Sequence, residues 1–124
     1  MDTRRDVGAR GEDAAVDYVT ALGWQVLDRN WRSGRLGELD LVAREPGPRG
    51  DAIVFCEVKT RTGLGFGEPV EAITWGKLDR LRRLALAWLA AHENSSSRVR
   101  IDAIGVLLLP SREPSIHHVR GVTR

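Results

Sequence analysis

The first apolar positions follow a helical rhythm. Val7, Gly11, Ala14, Ala15, Tyr18, Val19 and Leu22 recur at three- and four-residue spacing, with Gly23 behind them as a stop. That spacing predicts a helix over 4–22. Trp24, Val26 and Leu27 then alternate loosely into Asn30 and Trp31 before Ser33 and Gly34 turn the chain, which predicts a strand and a hairpin. Two strand-like runs follow, 36–45 and 52–61. The segment between them, Pro46-Gly47-Pro48-Arg49-Gly50-Asp51, is a loop, because its prolines and glycines suit the interior of neither helix nor strand, so the two runs pair antiparallel. The stretch 62–69, TGLGFGEP, reads as a flexible connection. A second amphipathic helix is predicted from Thr74 to His92, with Leu78, Leu81, Ala85, Trp88 and Leu89 on its stripe and Thr74 as N-cap. The run 98–109 reads as a strand buried on both faces, interrupted only by Asp102, and a short strand is expected after Pro114. The order is α-β-β-β-α-β with a final β. It implies an α/β fold, a central mixed sheet flanked by helices, in one domain over 1–124.

A regular hairpin symmetric about its loop has a chemical consequence. Leu36 then faces Arg61 and Glu45 faces Ala52, which puts Asp40 opposite Glu57 and Glu38 opposite Lys59, with all four side chains on one face. The opposite face pairs Leu39 with Val58, Leu41 with Cys56 and Ala43 with Val54, and so belongs on the core. The charged face turns apolar at Val42 and Phe55, so the first helix is expected to cover that part and leave the acids at its edge.

Carboxylates facing each other across two strands repel. A divalent cation, Mg2+ or Mn2+, would compensate, since such ions take oxygen ligands from one or two carboxylates, water and phosphate. It would also neutralise charge on a phosphodiester under attack. Asp40 and Glu57 are the candidate ligands, and Glu12 on the first helix is the natural third. Lys59 would stabilise charge on phosphate or orient the attacking water. Read from the residues alone, the alternative stays open that Glu57 and Lys59 are solvated and Glu38 with Lys59 is a surface ion pair of little consequence.

Composition narrows the setting. A chain of 124 residues with 42% hydrophobic and 29% charged side chains is ordinary for a globular domain, and no apolar run is long enough to span a bilayer. The N-terminus lacks the layout of a secretory signal, and the single cysteine, Cys56, cannot form an internal disulfide, so a cytoplasmic setting is expected. The net charge of +2 does not by itself announce nucleic acid. The choice of cation is more telling. Of 19 basic residues only Lys59 and Lys77 are lysine, which suggests that those two positions need a compact ammonium. Lys77, with Arg80, Arg82 and Arg83, gives the second helix a basic side, and Arg61 follows Lys59 on the same strand face. Lys77 and Arg61 are the candidate phosphate contacts, with a merely solvated helix side and, for Arg61, a structural pair with an acid as the readings left open. Trp75, at a helix start, is the tryptophan best placed to stack on a base. Asp102 calls for a cationic or hydrogen-bonding partner, Cys56 reads as a small core residue, and His117 and His118 suggest nothing specific.

At these residues the chain resembles the bacterial YraN family, within the superfamily that carries the PD-(D/E)xK nuclease motif, and is similar to archaeal Holliday-junction resolvases. The resemblance rests on G-A-R-G-E-D-A-A at 8–15, R-N-W-R at 29–32, G-E-L-D-L-V at 37–42 and V-F-C-E-V-K-T-R at 54–61. F-G-E-P at 66–69 and R-I-D-A-I at 100–104 extend it. It implies a restriction-endonuclease-like fold and a Mg2+-dependent endonuclease acting on DNA, branched or recombination intermediates included. In that reading Asp40, Glu57 and Glu12 are metal ligands and Lys59 is the catalytic cation. Leu39 stands where the motif's name has proline. The same membership is compatible with a module that binds nucleic acid or protein without cutting, and with a homodimer formed through an exposed sheet edge.

Overall fold

The computed structural model describes residues 3–63, 73–94 and 98–122. Helix α1 (Arg4–Ala21) starts at a capping box in which the Thr3 hydroxyl accepts the Asp6 N–H and the Asp6 carboxylate accepts the Thr3 N–H. Strands β1 (Gln25–Ser33), β2 (Gly37–Glu45) and β3 (Ala52–Arg61) follow as antiparallel neighbours. Helix α2 (Trp75–Ala91) begins at Thr74, whose side chain accepts the Lys77 N–H. It crosses over to β4 (Val99–Leu107), which pairs parallel with β3, and β5 (Ser115–Val119) closes the sheet antiparallel to β4. The sheet is therefore mixed, in the order β1-β2-β3-β4-β5, and the element order is the one expected. Of the predicted connection 62–69, residues 64–69 lie outside the described residues, as do Ser95, Ser96 and Ser97.

The two helices cover opposite faces. Ala15 and Val19 of α1 pack on Leu41, Ala43, Val54, Cys56, Ile104 and Val106. Leu78, Leu81, Leu84 and Trp88 of α2 pack on Val42, Ile53, Phe55 and Ala103. This corrects the expectation that α1 covers the Val42–Phe55 face, which belongs to α2. The physical reason lies in β3, where Ala52 through Cys56 are all buried. A strand apolar on both faces needs a helix on each side.

A second correction concerns Leu39. Regular alternation would put it with Leu41, yet Leu39 joins the α2-side core while Leu41, Ala43 and Val58 belong to the α1 side. The pleat is thus interrupted at Asp40, between them.

Candidate metal centre

The register of β2 with β3 is the symmetric one from Glu45–Ala52 down to Leu41–Cys56, and the ladder ends there. Beyond that point the Asp40 carboxylate accepts the Val58 N–H at 2.8 Å, in the place where a backbone carbonyl would continue the ladder. Asp40 and Glu57 are therefore not a ladder pair, as a regular hairpin would make them. They meet at the mouth of a split between strands. Glu38 does not face Lys59 either; it pairs with Arg32 at 3.0 Å.

This split opens on the α2 side into a cleft of about 190 Å³. Glu38 and Asp40 from β2, Glu57 from β3, and Lys77 and Arg80 from α2 line it, with Leu81 and Leu84 at its apolar wall. The core stripe of α2 turns Lys77 inward, where its Nζ lies 2.8 Å from Glu57 Oε1. Burial, and then the Glu57 charge, push the Asp40 carboxyl up to about 7, against the Val58 hydrogen bond that favours its ionised form. Glu12 and Glu38 add to the same repulsion. The crowding foreseen from the sequence is therefore present at Asp40.

The remaining candidates fall less tightly together. Glu12 is half-buried on α1, bonded by the Asn30 side chain, and burial raises its pKa. It is near enough for its charge to be felt at Asp40, but it approaches from the other helix. Lys59 is exposed, is absent from the cleft lining, and makes no ion pair with any described residue. Arg61 is half-buried at the end of β3. Trp75 is 69% exposed in the first turn of α2, whereas Trp24 and Trp88 are core residues. Among the described residues, no group of three His, Cys, Asp or Glu side chains converges to hold an ion. Asp40 and Glu57 alone still fit magnesium, which needs only one or two carboxylates because water and phosphate complete its shell.

A second polar cluster lies away from the cleft. Asp102 is fully buried and accepts from Arg100 Nε at 2.7 Å, Arg100 Nη2 at 2.9 Å, the Gly121 N–H at 3.0 Å and His118 Nε2 at 2.7 Å. An ionised carboxylate only accepts, so Nε2 of His118 carries a proton, while its Nδ1 lies 2.9 Å from the Tyr18 hydroxyl. Arg100 also reaches Glu45. Asp102 thus has both a cationic partner, Arg100, and hydrogen-bonding ones, His118 and the Gly121 N–H, and the network ties β4 to β5 and, through Tyr18, to α1. The sequence carried no local sign of His118's part in it. Cys56 is buried and its thiol is pushed well up by burial, which suits a core residue and not a nucleophile.

Residues 11–106 match the uncharacterised protein family UPF0102, the group that includes the YraN proteins. The chain belongs to this family. It is 49% identical over 114 residues to a UPF0102 protein of Rhodococcus opacus (strain B4), covering 92% of each chain. It is also 49% identical over 120 residues to one of Mycobacterium ulcerans (strain Agy99), covering 97% of this chain and 96% of the relative. Among solved structures, Pyrococcus furiosus SfsA in complex with Ca2+ aligns with 99% of this chain and 66% of its own at 16% identity and a TM-score of 0.36, a likeness too loose to bear on function. Among the described residues no helix is long and apolar enough to cross a membrane.

Proposed function

We propose that this UPF0102 protein is a metal-dependent endonuclease that hydrolyses DNA phosphodiesters in the cytoplasm, branched or recombination intermediates included. The observation that carries the reading is the meeting of Asp40 and Glu57 where the β2–β3 ladder ends, in a cleft that also holds Lys77 and Arg80. Asp40 and Glu57 would hold Mg2+ or Mn2+, with Glu12 as an outer carboxylate. A bound ion supplies charge neutralisation for an in-line displacement at phosphorus. In this reading Lys77 and Arg80 bind the phosphate, and Lys59 and Arg61, farther along β3, meet the strand that enters the cleft. Glu38 holds Arg32 at the rim.

The test is incubation with single-stranded, duplex, flap and four-way DNA in Mg2+ or Mn2+, beside Asp40→Asn and Lys59→Ala. Cleavage by the wild type that falls at least a hundredfold in Asp40→Asn is expected. Equal survival of every substrate with all three proteins would end the catalytic reading. One observation favours a second reading, a nucleic-acid-binding module without turnover: Lys59 stands exposed and outside the cleft. DNA binding that weakens with salt, is indifferent to Lys59→Ala and is never followed by cleavage would select it.

A further inference from the structure

We infer that Lys77 is the resident counter-ion of Glu57, that a divalent cation competes with it for that carboxylate, and that the displaced ammonium becomes a ligand for the phosphodiester. The inference rests on the proposed metal site and assigns a positioning role that the nuclease motif does not contain. Three observations carry it. Lys77 is one of only two lysines among 19 basic residues, and its side chain lines the cleft that holds the two acids. Its ammonium lies 2.8 Å from Glu57 Oε1, in direct contact with the crowded pair. The Lys77 and Glu57 side chains are only 29% and 15% exposed, so this is not a loose surface pair.

The electrostatics follow from the contact. Two carboxylates without a cation repel, and Lys77 offsets that repulsion while the site holds no ion. A divalent ion bound to the same oxygens carries twice the charge, so it weakens the hold of Glu57 on Lys77 and repels the ammonium. The lysine stem is flexible and its head strongly hydrated, so it can swing within the cleft, whereas a guanidinium fork would be harder to release. Arg80 lines the same cleft and makes no ion pair with Glu57. Metal binding and phosphate binding are thereby coupled: the ion frees the lysine that then binds the substrate.

The experiment uses the full chain. Binding of Ca2+ and Mn2+ is measured calorimetrically for wild type, Lys77→Met, Arg80→Met and Asp40→Asn, with circular dichroism confirming that each is folded. Lys77→Met is expected to bind the ion five- to tenfold more tightly than wild type, with a smaller gain for Arg80→Met. Its metal-dependent DNA binding should weaken, with the salt slope falling by about one. Lysine-selective carbon labelling of the wild type gives two signals, and the Lys77 Cε signal should move as Ca2+ is added. Ion binding that Asp40→Asn abolishes but Lys77→Met leaves unchanged or weakens would overturn this inference alone, as would a Lys77 signal indifferent to bound ion. If neither wild type nor Lys77→Met binds the ion, the metal site falls and this inference falls with it.

Discussion

Asp102 has no solvent exposure and is still ionised. Burial alone would raise its pKa, but bonds from His118, Arg100 and the Gly121 N–H outweigh it and hold the carboxyl below its ordinary value. A carboxyl depressed in the folded state contributes stability that is present above the unfolded value, about 4, and is lost as pH falls through the folded value. Glu45 has the same sign, its pKa lowered chiefly by the Arg100 hydrogen bond. Asp102→Asn should therefore cost on the order of 3 kcal/mol at pH 7, since it leaves Arg100 and His118 facing a neutral partner. The gap to wild type should narrow below about pH 4, where the wild type loses the same term. Urea unfolding of both proteins from pH 7 to 3 checks this; a gap that stays constant would contradict it. The sequence announced that Asp102 needs a partner. It could not name His118, 16 positions away, or link it to Tyr18, 100 positions from His118, because those contacts exist only once β4, β5 and α1 have packed.

Helix α1 meets the sheet where Gly11 lies against Thr60 of β3, and a methyl group on Gly11 would overlap the Thr60 side chain. Alanine favours a helix over glycine by about 1 kcal/mol, but forcing the two elements apart costs more. Gly11→Ala should lower stability by about 1–3 kcal/mol, and Gly11→Ala with Thr60→Ala should recover most of it. Thermal unfolding of the three proteins decides; a stabilising single variant would show that the helix does not sit so close. Both helices were legible because helical spacing is a local signal, and so was the Thr74 cap of α2, whereas the Thr3 capping box of α1 was not singled out. The register of β2 with β3 was legible as far as Leu41 and Cys56 because a short loop sets it. Two things were not. Which helix covers which face depends on the crossover between β3 and β4, and the split at Asp40 arises because a side chain takes a backbone partner, something strand alternation cannot express. Leu39 changed sides for that reason.

In a mixed sheet with helices on both faces, β2 parts from β3 beyond Leu41–Cys56 while β3 stays paired to β4. That place holds Asp40 and Glu57, and Lys77, one of the chain's two lysines, is paired to Glu57 there. Keeping a carboxyl there with its pKa at about 7 costs folding free energy at neutral pH, a cost that a binding site bears and an inert surface has no reason to keep. The most direct measurement is thermal unfolding at pH 8 of wild type and Asp40→Asn, first in chelator and then through a Mg2+ or Mn2+ titration. Asp40→Asn should melt above wild type in chelator, by about 1–3 kcal/mol in stability, because the buried repulsion is gone. Added ion should raise the wild-type midpoint by several degrees, near 2.7 kcal/mol at a hundred times the dissociation constant, and hardly move the variant. A wild type that ignores the ion, or a variant that responds equally, would contradict the account.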